Sequence, residues 1–314
     1  MIWLLRRLAM LIASLLVASF VIFGAVYLAP GNPISALSGG RSLPPESVHV
    51  LEARYHLDQP FLTQYWYWLT GALHGNLGLS IVLRENVSTL IGQRIWTTAG
   101  LVLYASLLIL VLGIGLGVLA GLRPGILDTS SLVVTAVSAA IPSFVAAIVL
   151  ILLFAVKLQW LPAFGNGSGF VDQVRHFTLP AIALAVSALA VVARVTRASV
   201  REESGREHVQ TAISRGLPTR HVIRRHVLRN AAIPITTISG ITIASLIAVA
   251  AIVEVAFGLN GLGAYLVQSA QSKDLAVVQG ISLVLVTAFV AVNVLVDVLY
   301  SLLDPRVSLG SRAQ

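Results

Sequence analysis

The chain has 314 residues, of which 57% are hydrophobic and only 11% charged. Soluble domains carry about 25% charged residues, so the composition excludes a large soluble core and indicates an integral membrane protein. The net charge of +8 raises nucleic acid as a partner, but nine of the 21 basic residues sit in one window between apolar runs, which fits a topology signal and a protein-docking face instead.

Residues 1–7 form a short basic start, and residues 8–29 are then apolar without a break. That run is long enough to cross a hydrocarbon core of about 30 Å. A cleaved signal peptide would need a small-x-small site. Tyr27 at −3 and Pro30 at +1 argue against one. Residues 30–94 are a polar excursion broken by Pro30, Pro33, Pro44, Pro45 and Pro60. Short helices are predicted over 46–56 and 61–73, with Trp66 and Trp68 suited to a membrane interface.

The second span is predicted over 95–122, where Gly113, Gly115, Gly117 and Gly121 permit close helix contact. The third runs over 132–156, with Pro142 inside it freeing a carbonyl that neighbouring helices must satisfy. An outer loop follows over 157–176. The fourth span covers 177–193, with Pro180 in its first turn. After the arginine-rich window come the fifth span (231–253), an outer loop (257–273), the sixth span (275–303) and a tail from 304. The organisation is therefore an N-terminal helix (1–29), an extracytoplasmic insertion (30–94), a core with five further spans (95–303) and a tail (304–314). Lys and Arg number 14 on one side and 7 on the other. An excess of basic residues marks the cytoplasmic side, so both termini are expected inside.

The window 194–234 contains Arg194, Arg197, Arg201, Arg206, Arg215, Arg220, Arg224, Arg225 and Arg229. Within it Val209, Ala212, Ile213 and Leu217 recur at helical spacing as a narrow apolar stripe. Gly216-Leu217-Pro218 stops that helix, and Thr219 is placed to cap the next. A helix, sharp turn and helix are expected on a membrane face. A loop that only fixes topology is the plainer alternative.

Gln210-Thr211-Ala212-x-x-x-Gly216 resembles the "EAA" loop of ABC-importer permeases. The leading Glu of that pattern is Gln210 here, and Arg229 stands where many families carry a proline. Arg229-Asn230-Ala231-x-Ile233-Pro234 resembles the dipeptide/oligopeptide/nickel branch. Further pieces follow in the same order along the chain: His56-Leu57-Asp58-Gln59-Pro60, Gly75-Asn76-Leu77-Gly78, Ile141-Pro142-Ser143-Phe144, Trp160-Leu161-Pro162, Val253-Glu254-x-x-Phe257, Gly261-Leu262-Gly263 and Leu303-Asp304-Pro305-Arg306. With its long insertion after the first span, the chain is most similar to the B-type permease of that family.

The resemblance implies an all-α integral membrane protein with six transmembrane helices and the type I importer permease (MetI-like) fold. It implies the bacterial inner membrane, a second (C-type) permease, two ABC ATPases and an extracytoplasmic solute-binding protein. The solute is a di- or oligopeptide, with nickel chelates or haem as alternatives of the same architecture. It also implies ATPase coupling through Val209, Gln210, Thr211, Ala212, Ile213, Arg215, Gly216 and Leu217. No cofactor is expected on this chain, since ATP and Mg belong to the ATPases. Leu37-Ser38-Gly39-Gly40-Arg41 is a chance likeness to an ATPase signature loop. A phosphate loop needs G-x-x-x-x-G-K-[ST], and Lys157 and Lys273 follow Val156 and Ser272.

Three residues are candidates for a gate or translocation path. Glu254 is either an interfacial carboxylate that snorkels or caps a helix, or part of an outer gate. Asn293 and Asp297 share a helix face and are either a polar seam between helices or a cavity-lining pair. His208, His221 and His226 form no metal motif. Arg220, Arg224 and Arg225 suit lipid phosphates and an ATPase equally. A stand-alone secondary transporter would need more in-membrane carboxylates. An intramembrane hydrolase would need a nucleophile motif or paired aspartates, and neither is present.

Overall fold

The computed structural model describes residues 2–28, 44, 46, 49 and 58–303. Among them the chain is helical, with one isolated antiparallel bridge between Leu79 and Asn86 and no strand. The helices are α1 (Ile2–Tyr27), α2 (Phe61–Leu73), α3 (Val87–Leu122), α4 (Ile126–Ala140), α5 (Ser143–Lys157), α6 (Phe170–Ser204), α7 (Glu207–Ser214), α8 (Thr219–Ala256), α9 (Leu262–Gln271) and α10 (Leu275–Leu303). The helix expected over 46–56 and the signature-like stretch 37–41 lie outside the described residues, apart from Glu46 and His49.

Among the described residues five helices are long and apolar enough to cross a membrane, and a sixth span results if α4 and α5 count as one. The third span differs from expectation. Pro142 does not kink one helix; it separates two that meet at 100°. Ile141 is extended and Pro142 precedes the first turn of α5, because the residue before a proline avoids the helical region. Each half has 15 residues, about 22 Å of helix, too short to cross alone. Pro180 also differs. α6 begins at Phe170, so Pro180 lies inside the helix rather than in its first turn. The segment 257–273, expected as a loop, contains α9.

Contacts divide the chain into two units, Met1–Thr97 with Asn260–Val290 and Thr98–Leu259 with Ala291–Gln314. In the first, Phe23 of α1 meets Phe61, Tyr65 and Trp68 of α2 at ring separations of 5.4, 5.7 and 5.5 Å. A tight turn at Ser80–Glu85 is tied to the start of α10 by Asp274. Its buried carboxylate accepts from the Ser80 hydroxyl and from the backbone N–H groups of Ile81 and Val82. A carboxylate so buried requires such donors. Beside it Arg94 lies 4.1 Å from the Tyr265 ring centre. Burial pushes the Tyr265 phenol above its ordinary value, against the opposing pull of Arg94.

The second unit is built on α6. Its core holds Leu101, Ile109, Leu184, Val192, Val253 and Phe257. The end of α3 lies close against α6 because Gly113, Gly117 and Gly121 recur every fourth residue. A Cβ at Gly117 would stand 2.5 Å from Thr196 Cβ and 2.6 Å from the Ala193 carbonyl oxygen. One at Gly121 would stand 2.9 Å from Val200. Small residues let backbones approach where lipid offers no hydrophobic drive to associate. Gly115, off this row, meets nothing within 4 Å.

Candidate functional site

The arginine-rich window folds from three pieces. α6 has 35 residues, about 52 Å of helix, well beyond the thickness of a hydrocarbon core. It therefore carries Arg194, Arg197 and Arg201 as a helical extension of its apolar part rather than as a loop. Arg197 and Arg201 both donate to Asp128 in the first turn of α4. Asp128 is 8% exposed, and two guanidinium groups offset the cost of withdrawing its charge from water. This three-residue clamp holds the start of α4 against α6.

α6 ends at Ser204 with Gly205 as its C-cap, and α7 begins after Arg206. Glu203, 6% exposed, fixes that corner. It pairs with Arg206 at 2.9 Å and with His208 at 3.2 Å, and accepts from the Asn230 amide at 2.9 Å. Asn230 also donates to the His226 carbonyl. One carboxylate thus joins the end of α6, the start of α7 and the stem of α8.

α7 ends in a Schellman turn. The Gly216 N–H reaches the Ile213 carbonyl at 2.9 Å and the Leu217 N–H reaches the Ala212 carbonyl at 3.3 Å. Gly216 has φ +75°, a conformation that glycine adopts without penalty. The residue before α8 is Pro218, which makes no side-chain cap. The expected cap by Thr219 is therefore absent, because Thr219 is already the first helical residue.

The apolar stripe is divided between two faces. Val209 and Ala212 are 2% and 6% exposed and lie in a core with Val200, Val222, Val227, Ala231 and Ile235. Ile213 and Leu217 are 54% and 39% exposed. The expectation of one four-residue docking stripe is corrected: its first half anchors α7 to its own chain. Gln210, Thr211, Arg215 and Gly216 are exposed beside Ile213 and Leu217.

Of the gate candidates, Glu254 is fully buried on α8 and accepts from the Thr98 hydroxyl at 2.6 Å. Its carboxylate does not snorkel, which corrects the interfacial reading. Asn293 is half-buried on α10, and the Asp297 side chain lies outside the described residues. Asp128, Glu203 with Asn230, and Thr98 were missed by sequence reading. Their partners lie 69, 27 and 156 positions away, and no local pattern marks such pairs.

Residues 113–309 match the family described as "Binding-protein-dependent transport system inner membrane component", and residues 1–102 match its N-terminal companion. The chain belongs to this family. Among relatives of this transport component, a peptide transport system permease protein of Brucella abortus (strain 2308) is 37% identical over 308 residues, covering 96% of this chain and 98% of that protein. The dipeptide transport system permease protein DppB of Escherichia coli (strain K12) is 32% identical, covering 97% of this chain and 98% of its own length. An inward-facing structure of the MetNI methionine ABC transporter aligns with a TM-score of 0.57 at 19% identity, over 68% of this chain and 96% of that one. At that identity the match shows the fold alone: an all-helical, MetI-like permease fold. The transport component is thus a multi-pass inner-membrane protein.

Proposed function

We propose that this chain is the B-type permease subunit of an ATP-driven importer of di- and oligopeptides. It pairs with a C-type permease, receives solute from an extracytoplasmic binding protein and takes its energy from two cytoplasmic ATPases. The full-length similarity to peptide permeases supports the solute class. The carrying observation for the mechanism is α7: a two-turn helix held rigidly by Val209, Ala212 and Glu203 while Ile213 and Leu217 face outward. A lever needs both properties, because only a helix fixed to the spans transmits movement of a partner to them. Chemical steps belong to the ATPases. This chain contributes two alternative helix arrangements that nucleotide and solute bias.

The assembled transporter in vesicles should accumulate labelled dipeptide only with ATP and all its subunits. Accumulation by this chain alone, driven by an ion gradient, would instead make it a secondary transporter. The excess of basic residues supports a cytoplasmic location for α7 and both termini, which requires the bent pair α4–α5 to count as a single crossing. In this cysteine-free chain, Ser47→Cys should react with an impermeant maleimide in intact cells and Ser214→Cys only after lysis. The reverse pattern would invert the topology.

A further inference from the structure

Beyond the coupling helix, the stem of α8 forms an open cavity of 620 Å³ lined by Pro218, Arg220, His221, Arg224, Arg225 and Arg229. All four arginines and the histidine are exposed. None of the four guanidinium groups makes an ion pair among the described residues, whereas Arg197, Arg201 and Arg206 each have a carboxylate.

The backbone explains why they converge. Arg220 and Arg229 are nine residues apart, about two and a half α-helical turns, so a regular helix would set them on opposite faces. Residues Ile223–Leu228 are instead a π-helical segment. Its i to i+5 bonding takes more residues per turn and carries Arg229 back toward the face that holds Arg220. Arg224 and Arg225 lie between them. The first turn of α8 adds its free N–H groups and the positive end of its dipole at the Arg220 side.

Depth relative to the bilayer follows from the sequence. The apolar run of α8 starts at Ala231, two residues after Arg229. The headgroup layer adds about 5–8 Å on each face, and Arg224 and Arg225 stand about 6–8 Å beyond Arg229 along the helix. The lower half of the cradle is therefore level with lipid phosphates, and Arg220 extends past them.

We infer that the Arg220–Arg224–Arg225–Arg229 cradle is a binding site for a phosphate-bearing anion. Several unpaired guanidinium groups on one concave face match the planar, multidentate geometry that phosphate oxygens accept. Two sources share this chemistry: the headgroup of an anionic phospholipid and a free phosphate compound. The inference does not depend on which solute the transporter carries.

The test uses the assembled transporter purified in detergent and stripped of lipid. Native mass spectrometry would follow retention of added phosphatidylglycerol against phosphatidylcholine. Calorimetry with inorganic phosphate would be run in parallel. The variant Arg224→Gln/Arg225→Gln/Arg229→Gln is compared with the charge-matched control Arg123→Gln/Arg175→Gln/Arg194→Gln, whose three arginines are also exposed. Preferential phosphatidylglycerol retention should fall by at least about tenfold in the cradle variant and persist in the control. Phosphate binding lost in the same variant, with no lipid preference, would assign the free compound. Equal behaviour of the two variants overturns the site. So does a cradle variant that sheds ATPase subunits yet keeps its lipid and phosphate binding, since the arginines would then serve a protein contact. Should the triple variant not accumulate, the single variants Arg224→Gln and Arg225→Gln give the same readouts on graded losses.

Discussion

Gly117→Val will abolish accumulation of the folded subunit, while Gly115→Val will leave it close to wild type. Both are glycines of α3 two positions apart, and a composition-based argument treats them alike. The structure separates them. At Gly117 even the first added carbon meets Thr196 Cβ at 2.5 Å and a backbone oxygen of α6 at 2.6 Å. Neither obstacle is the flexible end of a side chain, so the two helices must move apart. Overpacking by a few methylene groups costs about 1–3 kcal/mol. A collision with backbone on a central helix belongs at or above the top of that range. Separation would also loosen Val192 and Val200, which lie on the same helix. A Cβ added at Gly115 would meet no other part of the chain within 4 Å, and valine there changes little beyond helix propensity. Fluorescence-detected gel filtration of membrane extracts reads both variants. Equal amounts of the two would show that α3 and α6 are not held by this glycine row.

The second large effect separates folding from coupling at adjacent residues. Ala212→Asp should destroy the arginine-rich corner, because its carboxylate would enter a core of Val200, Val222, Val227 and Ala231 with no partner for it. Burying an unpaired charge costs several kcal/mol, so α7 should detach and trypsin should cut at Arg206 and Arg215 at once. Ile213→Asp replaces a side chain that is 54% exposed. Exposed substitutions of this kind change stability by no more than about 0.5 kcal/mol, and trypsin resistance should match wild type. Uptake should nevertheless be lost, since the charge would fall on the flank of α7 proposed to meet the ATPase. Normal uptake by Ile213→Asp would remove the outward face of α7 from the mechanism.

Apart from the third, the spans were legible because each is a long apolar run bounded by charged or helix-breaking residues, and α2 and α10 match their expected bounds. The glycine row was legible as composition, though not which of its members touches α6. Beyond the local surprises at Pro142, α9 and Thr219, what sequence concealed is long-range. Asp128 is a first-turn acid of a short helix, and nothing local says that Arg197 and Arg201 will face it. Glu254 was read from its distance to the span end, whereas a full shell of neighbours decides its burial. The stripe Val209–Ala212–Ile213–Leu217 was read as one surface. A two-turn helix on the side of a bundle exposes one flank and buries the other, and periodicity alone does not say which flank meets which partner.

The central claim is that energy enters this subunit through the outward flank of α7. The absence of native cysteine in this chain allows a direct measurement. A benzophenone maleimide would be attached in turn to Ile213→Cys, Leu217→Cys, Val209→Cys and Ala212→Cys in the assembled transporter and then irradiated. The account predicts adducts to the ATPase subunit from Ile213→Cys and Leu217→Cys, with labelling and crosslinking near background at the two inward positions. Strong ATPase crosslinks from Val209→Cys or Ala212→Cys, with none from Ile213→Cys and Leu217→Cys in a transport-competent complex, would contradict it.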